Sequence, residues 1–184
     1  NNMGLTYTLS PAKLPSTPAM TDRTSQGGDG RTMSDNAAHA RYDSVFRPDL
    51  FKGQVIIVTG GGSGIGRCIA HELTALGAYA ILVGRKQDKL DAVAQEIAHD
   101  GGACETASFD IRDEEAVSEA VSAMAARHGR IHGLVNNAGG QFPANAEDIS
   151  KKGWDAVIAT NLTGGFLMSR EVFKASMAEQ GGAI

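Results

Sequence analysis

Val55–Gly66 reads VIIVTGGGSGIG. A β-branched apolar run ends in glycines and opens into a helix-like pattern. A strand, a glycine turn and a helix start in that order form a cradle for an anion. Glycine lets the backbone approach closely and adopt φ > 0. The helix presents free N–H groups and the positive end of its dipole. The spacing is Gly60-x-x-x-Gly64-x-Gly66, and no register satisfies G-x-G-x-x-G. A P-loop is one rival, since Gly61-x-x-x-x-Gly66-Arg67-Cys68 comes near G-x-x-x-x-G-K-[ST]. It fails where the chemistry matters: Arg67 replaces the lysine, and Cys68 has no hydroxyl for Mg²⁺. A bare tight turn is the other rival, although Gly61, Gly62 and Ser63 exceed what such a turn needs.

Outward from this stretch, strands alternate with helical stripes. Val55–Thr59 is a strand, and Ile65, Ile69, Leu73 and Leu76 mark a helix face that Gly77 ends. Tyr79–Val83 is a second strand, followed by the stripe Leu90, Val93, Ile97 and its stop at Gly101-Gly102. Cys104–Phe109 is a third strand, and Val117, Val121 and Met124 stripe a third helix. Ile131–Asn136 is a fourth strand. A longer helix follows, with Trp154, Val157, Ile158, Asn161, Leu162 and Phe166 on one side. A fifth strand begins at Gly181–Ile184. This alternation calls for an α/β parallel sheet, doubly wound with helices on both faces. Such sheets bind ligands at the carboxyl ends of their strands, where the strand order reverses.

Composition narrows the classes. The 184 residues suffice for one domain and a tail, and 42% hydrophobic content suits a folded soluble protein. A formal net charge of −4 offers no basic surface for nucleic acid. No apolar run reaches membrane-span length. Cys68 and Cys104 stand alone, which points to a reduced, cytoplasmic setting. Residues 1–44 hold Pro11, Pro15, Pro18 and scattered Ser and Thr without apolar period, and read as a disordered or non-native tail ahead of a domain at 45–184. Met33 could be a natural start. His128 and His132 are four apart, but Gly129 breaks the helix between them, so no metal face is expected. His71 and His99 read as surface helix residues.

The second strand ends in Val83-Gly84-Arg85-Lys86. A carboxylate roughly 20 residues beyond the glycine loop would accept from a ribose 2′-hydroxyl. Two cations there favour a 2′-phosphate instead, hence NADP(H). The alternative is a solvated surface pair. Asp88 falls on the first turn of the next helix and serves its N-terminus.

The set TGGGSGIG (Thr59–Gly66), Asp110, NNAG (Asn136–Gly139) and Asn161 resembles the short-chain dehydrogenase/reductase family, from about Phe51 to Ile184. The resemblance implies a Rossmann-type sheet. It implies that Gly60, Ser63, Gly64, Ile65 and Gly66 line the pyrophosphate and nearby ribose. Asp110 and Ile111 would flank the adenine, with the Asp110 carboxylate accepting from its amine; capping of the helix near Asp113 is the alternative. Asn136, Ala138 and Gly139 would contact the adenosine side, and Asn137 would tie the fourth strand to its neighbours; a plain turn at Asn136-Asn137 is the alternative. Asn161 shares the apolar helix face and is expected to point inward, where a buried amide needs partners. By resemblance it is the catalytic Asn of an Asn–Ser–Tyr–Lys set, its backbone carbonyl holding a relay water; a core asparagine satisfied by backbone is the alternative. The helix that bears it would pack between subunits, giving a homodimer or homotetramer.

The Ser, Tyr and Lys are expected after the fifth strand. No tyrosine present (Tyr7, Tyr42, Tyr79) has a lysine four positions on. The chain is therefore expected to be a fragment of an oxidoreductase, truncated after the start of the fifth strand, inactive by itself and poorly folding. A non-catalytic nucleotide-binding or subunit-partner protein is the alternative. Asn136–Met168 also resembles the trans-2-enoyl-CoA reductase branch and, with Ser44–Gln54, the citronellol-type dehydrogenases. That likeness implies an enoyl-CoA or terpenoid alcohol substrate, with Gly140, Gln141 and Phe142 facing the nicotinamide end.

Overall fold

The computed structural model describes residues 42–184. The expected tail at residues 1–44 lies outside them, apart from Tyr42–Ser44. The Tyr42 and Ser44 hydroxyls both donate to the Glu72 carboxylate.

Four parallel strands form the sheet: β1 (Val55–Thr59), β2 (Tyr79–Gly84), β3 (Ala103–Ser108) and β4 (Gly133–Val135), in the order β3-β2-β1-β4. The helices α1 (Gly64–Ala75), α2 (Gln87–His99) and α3 (Glu114–His128) connect them. A long helical run follows as α4 (Lys151–Ile158), a π-helical segment (Ala159–Gly164), α5 (Gly165–Val172), a second π segment (Phe173–Met177) and α6 (Ala178–Gln180).

Strand alternation builds the two layers. Ile57, Ile81 and Val83 point to one face, against Val117, Val121 and Met124 of α3 and Leu167, Met168 and Val172 of α5. Ala80 and Leu82 point to the other, against Ala70 of α1 and Leu90, Val93 and Ile97 of α2. The sheet is therefore doubly wound. The chain leaves β1 towards β2 and later crosses to β4 on the other side, which opens a crevice at the carboxyl ends of β1 and β4. Gly181–Ile184 returns beside β4. Ala183 forms a parallel bridge with Gly133, its N–H donating to His132 O at 3.1 Å and its carbonyl accepting from Leu134 N at 3.0 Å.

Four sequence expectations change. β4 is three residues, not the six of Ile131–Asn136: it starts at Gly133, and after Val135 the chain leaves the ladder for Asn136–Gly139. The helix α1 buries Gly66, Ala70, His71 and Thr74, while Ile65 is 73% exposed. Small residues bring α1 close to the sheet, and that proximity outweighs the larger apolar stripe. His71 is buried, not at the surface, with Nε2 3.1 Å from Glu96 and Nδ1 3.5 Å from Asp100. In the long helical run, Trp154, Leu162 and Phe166 are 56, 64 and 57% exposed. The side carrying Leu167, Met168 and Val172 takes the sheet, so the expected stripe faces outward.

Candidate functional site

The crevice has a volume of about 430 Å³. Its floor is the turn after β1. The Gly60 and Gly61 N–H groups donate to Val83 O at 2.8 and 3.2 Å, which ties the turn to the end of β2. The glycines divide the work. Gly60 has φ +71 and Gly64 φ +54, a region L-residues avoid. Gly66 serves close approach: a Cβ there would sit 2.3 Å from Gly60 O and 2.5 Å from Asn137 Nδ2. Ser63 precedes α1 without capping it, so its hydroxyl and the first N–H groups of α1 remain for an anion. No acid sits in the first turn of α1 to oppose one.

One wall follows β4. Thr59, fully buried, organises it. Its Oγ1 accepts from Asn137 N and Ala138 N, both at 3.0 Å, and donates to Val135 O at 3.2 Å. Asn137 Nδ2 donates to Thr59 O at 2.9 Å. Asn137 thus ties β4 to β1, and Ala138 and Gly139 pass close along the crevice. The next turn is clamped by Asn161: its Oδ1 accepts from Gly140 N at 2.7 Å, and its Nδ2 donates to Gly140 O at 3.0 Å. Asn161 is exposed, not buried as expected, and backbone satisfies its amide.

The opposite wall is cationic. Arg85 and Lys86 follow β2, Lys89 stands on the first turn of α2, and Arg112 follows β3. Among the described residues, Asp110 is the one acid lining the crevice. Its Oδ1 accepts from Arg112 N at 3.0 Å and Nε at 2.9 Å, and its Oδ2 from Nη2 at 2.5 Å. The Arg112 guanidinium holds the Asp110 carboxyl below the usual carboxylate range, with help from Arg85. Asp110 does not cap the following helix. Asp113 does, accepting from Ala116 N at 3.1 Å.

Of the residues singled out from sequence, Gly60, Ser63, Ile65, Arg85, Lys86, Asp110, Ile111, Ala138 and Gly139 line the crevice together. Gly64 and Gly66 shape its floor without lining it. Asn136 points elsewhere, its Nδ2 donating to Ser169 Oγ at 2.9 Å. Phe142 is spent on Gly153, where an added Cβ would fall 2.6 Å from the ring, so it does not line the crevice. Sequence reasoning passed over Thr59, Lys89, Arg112 and Thr160, which line or organise the same space. The signal for Lys89 was present: three residues beyond Lys86, it shares the start of α2.

The short chain dehydrogenase profile matches residues 54–184. The chain belongs to the short chain dehydrogenase family. Among solved structures of this family, it is similar to the citronellol catabolism dehydrogenase AtuB of Pseudomonas aeruginosa PAO1, with 59% identity and a TM-score of 0.74, over 77% of this chain and 58% of that one. It is also similar to a metagenomic short-chain oxidoreductase in complex with NADP, with 39% identity and a TM-score of 0.67, over 72% of this chain and 60% of that one. D-threitol dehydrogenase of Mycolicibacterium smegmatis is 40% identical over 148 residues, 80% of this chain and 56% of that protein. The chain spans about half the length of the curated relatives it matches. No helix among the described residues is long and apolar enough to cross a membrane.

Proposed function

We propose that the crevice binds NADP(H), and that the protein to which these residues belong moves hydride between that cofactor and a terpenoid alcohol or its carbonyl product. The observation that carries the cofactor is charge. The end of β2 presents Arg85 and Lys86 where a ribose-reading acid would stand, and both line the crevice. The metagenomic relative described with NADP supports the same reading, and AtuB supports the alcohol class.

The residues fit a dinucleotide. The α1 N-terminus, Ser63 and the glycine turn receive the pyrophosphate. Arg85 and Lys86 receive the 2′-phosphate. Asp110 and Ile111 flank the adenine. Ala138 and Gly139 let the backbone pass beside the adenosine, and Asn136 holds that turn from behind through Ser169. Bound NADP(H) supplies the hydride. Asn161 acts by position: with its amide spent on Gly140, it fixes the turn, and by family resemblance its main-chain carbonyl would hold the relay water. Proton transfer needs a positioned acid. The 184-residue chain has no tyrosine with a lysine four residues on, so it binds nucleotide without turnover. Its two unpaired cysteines suit a reducing, cytoplasmic setting.

A second copy covers the outward face of the long helical run. Trp154, Leu162, Phe166 and Phe173 are each more than half exposed there, and Arg170 lies 5.4 Å over the Phe166 ring. Sedimentation of the protein and of Phe166→Glu tests this: a wild type that is monomeric at micromolar concentration refutes it.

Fluorescence titration with NADPH and NADH tests the cofactor. NADPH binds more tightly, and Arg85→Ala removes the preference. Equal affinity in the wild type sinks the reading. Assaying the complete protein with citronellol and with a 2-enoyl-CoA tests the substrate class; reduction of the enoyl double bond without oxidation of citronellol overturns the alcohol.

A further inference from the structure

Four cations line the crevice, and they are not equivalent. Arg112 is committed to Asp110 by a two-point ion pair. Arg85, Lys86 and Lys89 have no ion-pair partner among the described residues. A paired guanidinium and carboxylate present a nearly neutral unit to an incoming dianion, whereas an unpaired ammonium presents its full charge.

Lys89 is also placed, not merely near. Gly62 has no side chain, and a Cβ built there would lie 3.2 Å from Lys89 Cβ and 3.3 Å from Leu90 N. The start of α2 therefore rests against the phosphate turn. Leu90, 1% exposed in the core, pins the neighbouring position. The Lys89 stem is held at its base, and Lys89 lines the crevice with Arg85 and Lys86. Asp88 and Asp91 flank Lys89 in sequence, yet neither pairs with it, and Asp91 is taken by Gln87 at 2.6 Å.

We propose that Lys89 is a specificity-determining residue: with Arg85 and Lys86 it forms a three-cation site for the 2′-phosphate, from which Arg112 is excluded by Asp110. This rests on the NADP(H) reading of the crevice and adds to it a residue that neither the glycine motif nor the Arg85-Lys86 pair identifies.

The test is a titration of NADPH and NADH against the full chain and four variants. Lys89→Met keeps the stem and removes the charge. It weakens NADPH by about tenfold, the weight of one hydrogen bond to a charged group, and leaves NADH unchanged. Lys89→Arg restores NADPH affinity. Arg112→Gln releases Asp110 and weakens both nucleotides by the same factor, leaving their ratio intact. An unchanged ratio in Lys89→Met, or an equal loss for both nucleotides, overturns the proposal. A ratio that falls in Arg112→Gln overturns the exclusion of Arg112. Arg85→Ala separates the two levels: if the wild type prefers NADPH and Arg85→Ala abolishes the preference while Lys89→Met does not, the cofactor reading stands and the role of Lys89 falls. A wild type without preference removes both. The slope of NADPH affinity against salt is a second readout, flattening in Lys89→Met.

Discussion

Thr59→Val keeps the shape of a buried side chain and deletes its hydroxyl, which isolates what that hydroxyl does. Three contacts are lost, but they are unequal. Asn137 N also donates to Val135 O at 3.0 Å, so that N–H and that carbonyl keep each other. Ala138 N has Thr59 Oγ1 as its protein partner, at 3.0 Å, and is left without it. One orphaned, part-buried N–H costs about 1–3 kcal/mol, and each shared bond about 0.5–1.5 kcal/mol. Thr59→Val is therefore expected to destabilise by about 2–6 kcal/mol. Thr59→Ser keeps the hydroxyl and loses a methyl in the core, at about 1 kcal/mol. The assay is urea unfolding of the three proteins, compared through their midpoints, with NADPH titration alongside. Valine, the better volume match, must come out below serine, and it must weaken NADPH because Ala138 and Gly139 lose their backing. A Val variant as stable as the Ser variant would refute the hydroxyl as the organiser of this wall.

Gly66→Ala puts a Cβ 2.3 Å from Gly60 O, and overpacking of this kind is expected to cost about 1–3 kcal/mol or more and to abolish nucleotide binding. Gly64→Ala meets open space and bears only the strain of φ +54, so thermal melts that rank it below Gly66→Ala contradict the division of roles. The Asp110–Arg112 contribution to stability is complete above the ordinary carboxylate value of 3.8 and is lost as pH falls through the lowered folded value. Denaturation from pH 6 to 3 should show that loss in the wild type and a flatter profile in Asp110→Asn. Burial pushes the Cys104 thiol up to about 11, so a thiol reagent at pH 8 labels the exposed Cys68 first; one equal, fast phase for two thiols fails the expectation.

Much of the fold is legible because the decisive segments have one apolar solution. VIIVT and YAILV can only be strands buried on both faces, and the stripes of α2 and α3 bury the residues their periodicity selects. The failures share a cause. In α1 the apolar stripe competes with a small-residue stripe, and the small one wins because Gly66 must touch Gly60. In the long helical run, apolar residues occupy both sides. Leu167, Met168 and Val172 meet the sheet, and nothing in a single sequence ranks them above Trp154, Leu162 and Phe166. His71 was hidden for a related reason: its partners, Glu96 on α2 and Asp100 just past its end, are 25 and 29 positions away, and only folding brings them within reach.

The site divides into residues whose effect passes through the backbone and residues whose effect does not. Gly60 N–H on Val83 O joins β1 to β2, Asn137 on Thr59 joins β4 to β1, and Asn161 on Gly140 joins the long helical run to the turn after β4. These links are continuous, so the floor and both walls of the crevice shift together. Weakening any one of them lowers folding stability and nucleotide affinity in the same variant. Arg85, Lys86 and Lys89 stand outside that chain of contacts, exposed and without ion-pair partners among the described residues, so their loss changes affinity and leaves the unfolding midpoint in place. The sequence shows charge readily and linkage poorly. The cations are visible as residue types beside a strand end, whereas Thr59 becomes informative only once Ala138, 79 positions away, is found on its hydroxyl.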